Sequence, residues 1–394
     1  MMKVFFNAIM MRFLTDRQSG TIVASIIGLL VVFSGMVWCA AARESDRKST
    51  TLILQSANSN ENTYSNGEFI SYLRGNVVFL YDDITIRSDD ATWWRSEGKV
   101  DFRNNVRITQ EAQTLTCDHM HFTKKTNRID AVGKFCYRDT AEKTELTGKR
   151  GSYRVDVKDF TLTGDPRMVR FDTLAAETLI ISGLQMHYSD SMKTAIVSDS
   201  VSITKGKLLS RCGRAVYHTE TNRAELRINP RVTFDIHEIV GDSIDLNFGN
   251  EALESASIYG SAHGVYIDTG GGGNDSSFTH VWGDSLYMSI SDAGGIDSLW
   301  VHGKAISKYF TALSADQVNQ ANGKVMLMSF GKGNDVEKVK IWGNARSTYY
   351  IEEEDSQGVN EVSGDSIRVD FRKGKATSIN LAGSARGIYF PNNM

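Results

Sequence analysis

Internal repetition is what most constrains this fold. A short step of Gly, Asn or Asp followed by a strand-like run recurs along the chain. It reads Gly75-Asn-Val-Val-Phe, Asn104-Asn-Val-Arg-Ile, Gly133-Lys-Phe-Cys-Tyr, Gly164-Asp-Pro-Arg-Met and Asp199-Ser-Val-Ser-Ile. It continues as Asn229-Pro-Arg-Val-Thr-Phe, Gly260-Ser-Ala-His-Gly-Val-Tyr, Gly303-Lys-Ala-Ile-Ser-Lys-Tyr, Gly343-Asn-Ala-Arg-Ser-Thr-Tyr and Gly383-Ser-Ala-Arg-Gly-Ile-Tyr. Copies begin about 30 residues apart at first and about 40 later, the spacing of a repeat array. Gly, Asn and Asp tolerate positive φ, so each step reads as a turn that launches a strand.

Between these steps lies a second element, again polar and then alternating. Examples are Ser88-Asp-Asp-Ala-Thr-Trp-Trp, Cys117-Asp-His-Met-His-Phe and Ser182-Gly-Leu-Gln-Met-His-Tyr. Later ones are Gly241-Asp-Ser-Ile-Asp-Leu, Gly283-Asp-Ser-Leu-Tyr-Met and Gly364-Asp-Ser-Ile-Arg-Val. Period-two alternation means strands with one buried face. No stretch after residue 50 holds a helical period, so the expected fold is all-β. Each unit can bury its apolar face only against its neighbours, which implies stacked units sharing one core. An antiparallel sheet folded over itself, or a solenoid, satisfies this. The repeat runs almost to Met394 with no visible cap. An uncapped last strand offers free N–H and C=O groups for strand addition.

Composition closes off several function classes. Net charge is −3 with Lys and Arg scattered, so nothing points to a nucleic-acid partner. The 34 Gly against 3 Pro suit turns between long ladders, which Pro would interrupt. A hydrophobic share of 41% at strand spacing excludes a disordered body. Of four cysteines, Cys39 lies in an apolar N-terminal run. Cys117, Cys136 and Cys212 are an odd number for a disulfide framework, leaving one bridge or buried free thiols as alternatives.

Residues 1–20 carry Lys3, Arg12 and Arg17, and Thr21–Ala42 is uncharged. Such a run is long enough to cross a bilayer, and the preceding cations put the N-terminus in the cytoplasm. The rival reading is a signal peptide cleaved near Cys39-Ala40-Ala41. A lipoprotein reading of Cys39 is disfavoured by bulky Trp38. Residues 43–66 are polar and patternless, which reads as a flexible tether before a repeat body at 67–390.

The cadence Gly75-Asn-Val-Val-Phe, Ile86-Arg-Ser-Asp-Asp-Ala-Thr-Trp-Trp and Val100-Asp-Phe-Arg-Asn-Asn-Val-Arg-Ile resembles the OstA-like family of periplasmic lipopolysaccharide-transport proteins. The likeness is strongest from Tyr72 to about Tyr137. The resemblance implies an open β-jellyroll, or β-taco, that shelters lipid A acyl chains while the sugars stay in water. It implies lipopolysaccharide and other transport proteins, docked edge to edge, as partners, and no cofactor or catalysis. The apolar N-terminal run resembles an inner-membrane subunit, whereas the long array resembles the soluble bridge.

Alternation then nominates an inward face. Two and four residues after the step, early repeats place Val77 and Phe79, Val106 and Ile108, Phe135 and Tyr137, Val201 and Ile203. Late repeats place Ala262 and Gly264, Ala305 and Ser307, Ala345 and Ser347, Ala385 and Gly387. Six residues on stand Tyr266, Tyr309, Tyr349 and Tyr389. The expectation is a groove with bulky early rungs and roomier late rungs walled by tyrosine. The competing expectation is an ordinary dry core, since strand-spaced apolar residues usually fill one.

Several motifs invite other chemistry. Gly283-Asp-Ser-Leu matches a hydrolase nucleophile block, but Gly-Asp-Ser recurs at Gly241 and Gly364, as a repeat does and a unique nucleophile does not. Gly270–Asp275 fits one unit of a calcium-binding repeat that needs tandem copies. His119 and His121 share a strand face without a third metal ligand at suggestive spacing. Glu352–Asp355 reads as a solvated turn. A structural envelope scaffold with a filled core is the principal rival function. A carbohydrate-active β-helix enzyme would need clustered carboxylates on one face, and none recur at matching repeat positions.

Overall fold

The computed structural model describes residues 52–391 apart from short internal stretches, the longest of them 269–276. Nearly everything described is antiparallel strand, with one 3-10 turn at Lys124–Thr126. The described chain divides into two compact units. Unit 1 comprises residues up to 206 together with 214–222, and unit 2 comprises 207–213 and 223 onward. Within each, consecutive strands pair as hairpins. Glu68–Tyr81 with Ile84–Trp94 exemplifies unit 1, and Leu253–Asp268 with Ser277–Ile290 exemplifies unit 2.

The Gly/Asn/Asp steps are not turns between strands. They lie in the middle of strands, or between two halves of one rung, and both residues of each pair take positive φ, the pair before Pro230 being Ile228 and Asn229. Gly75 and Asn76 have φ 72° and 49°, Asn104 and Asn105 61° and 52°, and Gly303 and Lys304 70° and 49°. The ladder skips there: pairing jumps from Arg74 to Val77, from Arg103 to Val106 and from His302 to Ala305. Two left-handed residues form a bulge that creases the strand, so each rung becomes two arms. Hairpin turns lie elsewhere, as at Asn66-Gly67 between Ser59–Ser65 and Glu68–Tyr81.

The arms face one another across the crease. In unit 1 the Phe79 ring, beyond the crease, meets Phe102 and Trp93, before it, edge-on at 5.4 and 5.5 Å. Phe135 lies 6.3 Å from Phe160 and packs over Gly151, where a Cβ would sit 2.8 Å from its ring. The core of unit 1 runs from Leu73 through Phe102 and Tyr137 to Leu162.

The tether reading of 43–66 is corrected from residue 53 onward. Ile53–Ser56 pairs with Val78–Leu80, and Ser59–Ser65 pairs with Glu68–Arg74. Every residue of Ser59–Ser65 is exposed, so the strand has no apolar face to alternate. It is held by backbone hydrogen bonds at a sheet edge. The expected anchor at 21–42, the segment 1–20, Cys39 and the Gly270–Asp275 motif lie outside the described residues. Among those described, no helix is long and apolar enough to cross a membrane.

Candidate functional site

Pairing registers convert the repeat into rows of side chains, because residues directly opposite in an antiparallel pair share a face. In unit 1, Phe79 is opposite Ile86, Ile86 opposite Ile108, Ile108 opposite Leu115 and Leu115 opposite Tyr137. The row proceeds through Leu146, Met168 and Ile181 to Ile203. Val77, Val106 and Phe135 stand one step nearer the crease, against Ser88, Cys117 and Gly148, and Val201 holds the same place in its strand. All eight early residues nominated from sequence are buried, with Phe79 and Tyr137 at 0% exposure. Unit 1 is closed along this row.

Unit 2 repeats the geometry with different side chains. Before the crease, one arm carries Leu226, Ile244, Ile258, Leu286, Val301, Met326 and Ile341 in a single buried row. The facing arm carries Ala262, Gly283, Ala305, Gly323, Ala345 and Gly364 at the crease. Its next row is Gly264, Val281, Ser307, Ala321, Ser347 and Val362. The two arms meet where Gly264 faces the Leu286 side chain, a Cβ there being 4.0 Å from Cδ1. One wall is bulky and aliphatic; the other is mostly Gly, Ala and Ser, with Val281 and Val362 among them.

Burial in unit 2 falls away from the crease. Ala305 and Ala345 are 0% exposed; in the next row Val281 and Val362 are buried and Gly264, Ser307, Ala321 and Ser347 half-buried. At the lip, Tyr266 is 52%, Tyr309 39% and Tyr389 46% exposed, and Tyr349 is half-buried. The tyrosines are brought into one row: Tyr266 is opposite Thr279, Thr279 opposite Tyr309, and Tyr309 opposite Asn319. Gln320 opposite Thr348 sets Asn319 level with Tyr349, which is opposite Asn360, itself opposite Tyr389. Sequence reasoning found the tyrosines but missed Thr279, Asn319 and Asn360. Each lies four residues before a crease glycine, Gly283, Gly323 or Gly364, and that offset could have found them.

The motifs set aside from sequence have structural explanations. Gly283 has ordinary φ, but a Cβ there would meet Val301 Cγ1 at 2.7 Å. Gly241 and Gly323 stand in the same relation to Ile258 and Ile341. Gly-Asp-Ser is therefore a crease joint. His121 bonds the Asp101 carboxylate through Nδ1 and Thr123 Oγ1 through Nε2 at 2.7 Å. No cluster of metal-ligating residues occurs among the described residues. Glu352 and Glu353 pair with Gln357 and Ser356, so the described part of the acidic run is ladder. Cys117 and Cys136 are free thiols, and burial pushes Cys117 up to about 12.

On the outer face of unit 2, His263 Nε2 lies 3.0 Å from His280 Nδ1, and both rings stack with Trp282. Burial lowers both pKa values, and the neighbouring His280 lowers that of His263 further.

Residues 56–251 match the model of a family described as LptA/(LptD N-terminal domain) LPS transport protein. No curated protein matches the chain. Among solved structures it is similar to LptH, described as the LptA homologous periplasmic component of the lipopolysaccharide transport device of Pseudomonas aeruginosa. That likeness has 14% identity over 37% of this chain and 82% of the other, with a TM-score of 0.20.

Proposed function

Through residues 56–251 the chain belongs to the LptA/LptD N-terminal family of lipopolysaccharide transport proteins, a non-enzymatic family, and on that premise we propose that it is a periplasmic conduit for lipid A acyl chains. The acyl chains lie between the two arms. Unit 2 is the open station, lined by Tyr266, Tyr309, Tyr349 and Tyr389 on one arm and Leu286, Val301 and Met326 on the other. In unit 1 the corresponding residues Val77, Phe79, Val106, Ile108, Phe135, Tyr137, Val201 and Ile203 form a closed seam, and passage requires its arms to part. Thr21–Ala42 anchors the body to the inner membrane. Transport partners dock edge to edge on the strand Arg386–Pro391, where Ile388, Tyr389 and Phe390 are all exposed.

The observation that carries this reading is the burial gradient of unit 2. The third row of unit 1 is buried at Ile84, Asp139 and Thr144 and half-buried at Tyr81, Gln110 and Gln113. In unit 2 none of Tyr266, Thr279, Tyr309, Asn319, Tyr349, Asn360 and Tyr389 is buried, and three of the tyrosines are exposed. The opposing reading, an envelope scaffold without ligand, draws its support from the packed seam of unit 1. Photo-crosslinkers at Tyr309, Ile108 and Phe79, followed by mass spectrometry of attached lipid in cells making lipopolysaccharide, separate the two. The conduit predicts the strongest adduct at Tyr309 and weaker ones at the closed seam. Absence of lipid at all three positions sinks it.

A further inference from the structure

The lip row of unit 2 alternates in chemistry. Tyr266, Thr279, Tyr309, Asn319, Tyr349, Asn360 and Tyr389 face the groove side by side, with a tyrosine on every second strand. Strand spacing puts successive tyrosines about 10 Å apart, with one hydroxyl or amide side chain in each gap. The row contains no Lys or Arg. Asn319 is pinned, its Oδ1 accepting the Tyr350 backbone N–H at 2.7 Å, which leaves its amide N–H groups as donors toward the groove. Thr279, Asn319, Tyr349 and Asn360 are half-buried, so the row is shielded on one side and wet on the other.

The hydroxyl and amide groups of this row suit neither an acyl chain nor a phosphate. Acyl chains need apolar neighbours, and these lie deeper, on the aliphatic arm. A phosphate is held by Arg, Lys or clustered backbone N–H groups, none of which this ladder supplies from its side chains. What remains is a neutral polyhydroxylated ring. Tyrosine offers it an apolar face and a hydroxyl, and Thr and Asn supply both donors and acceptors.

We propose that this ladder is a sugar-binding lip: it grips the saccharide portion of a glycolipid by stacking and hydrogen bonding while the acyl chains lie below it. The inference rests on the transport reading and deepens it. It also makes the lip selective, since a two-chain lipid with a phosphate head and no sugar ring gains nothing from the row.

The test uses the full chain and two probes, lipopolysaccharide and phosphatidylglycerol vesicles. Tyr309→Phe combined with Asn360→Leu keeps the ring and the side-chain bulk but removes hydrogen-bonding groups. Losing two such bonds is expected to weaken lipopolysaccharide binding about tenfold or more, with binding of phosphatidylglycerol unchanged. Equal loss for both probes, or no loss for either, overturns the ladder's role. Thr279→Val is an independent second variant in case the first perturbs folding, and circular dichroism checks both. A wild-type chain that retains neither lipid overturns the transport reading itself, and the ladder with it.

Discussion

The carboxylate of Asp284 lies over Gly303 on the next strand, in the space a Cβ on that glycine would occupy. Asp242 and Gly260, Asp365 and Gly383, and Asp118 and Gly133 repeat the relationship. These four creases are covered by an aspartate from the preceding segment, whereas Asn58 covers Gly75, Lys149 covers Gly164 and Lys324 covers Gly343. The Asp of Gly-Asp-Ser serves this joint, and the Gly beside it makes room for a branched side chain of the neighbouring strand.

Gly303→Ala should destabilise unit 2 by about 1–2 kcal/mol, because φ of +70° places an L side chain against its own carbonyl. Gly303→Asn should cost less, since Asn104 holds the same place in an earlier crease at φ 61°. Denaturant titration of the purified chain measures both. Equal costs for Ala and Asn would remove the backbone argument and leave only crowding against Asp284.

Gly283→Ala tests the other half of the joint. Its Cβ would meet Val301 Cγ1 at 2.7 Å and the His302 carbonyl oxygen at 3.0 Å, and overpacking of this kind costs about 1–3 kcal/mol. Ser285→Ala, in the same motif, should leave stability within about 0.5 kcal/mol and lipid retention unchanged. A serine acting as a nucleophile would reverse that order of importance.

The all-β class and the two faces of each strand were legible because alternation survives wherever one face is buried. Phe79, Ile108, Tyr137 and Ile203 were grouped correctly from spacing alone. The crease was misread as a turn because the same residues, Gly, Asn and Asp, serve any left-handed backbone, whether at a hairpin tip or a mid-strand bulge. Ser59–Ser65 escaped notice because an edge strand exposed on both faces leaves no alternation to read. The aliphatic arm of unit 2 and the Thr and Asn members of the lip were not nominated, because a row belongs to the pairing register and not to any one strand.

Cys117 sits at a crease where Ser88 sits in the preceding one, each small and buried. Burial raises its pKa from 9.0 to about 12, so the folded state holds the proton that the unfolded state releases. Its contribution to stability is therefore intact below pH 9 and lost as pH climbs from 9 toward 12. Cys117→Ser should fold normally and flatten that alkaline limb of the stability curve. A thiol reagent at mildly alkaline pH should modify Cys117 only after denaturant is added, and rapid labelling of Cys117 itself in the native chain would contradict its burial.

His263 and His280 should make unit 2 acid-sensitive. Both pKa values lie below 6.5, through burial in each and through their mutual repulsion for His263. Glu238 opposes that lowering at His263 and Arg231 reinforces it. Lowered base pKa values mean that the unfolded state takes up protons first, so stability is full above pH 6.5 and falls below it. Melting temperature followed between about pH 7.5 and 5 should drop less for His280→Gln than for the wild type. Parallel curves for the two chains would show that the pair does not set the acid limb.

Phe79 and Tyr309 separate what holds the protein together from what it carries. Phe79 is fully buried between Phe102 and Trp93, and Phe79→Ala should cost unit 1 about 3–5 kcal/mol. Tyr309 is 39% exposed at the lip, and Tyr309→Ala should shift stability by no more than about 1 kcal/mol. Lipid retention should follow the opposite order, falling sharply for Tyr309→Ala and, while the chain remains folded, less for Phe79→Ala. If both substitutions reduced lipid in proportion to lost stability, the groove would have no open station. The burial gradient of unit 2 would then be a matter of packing alone.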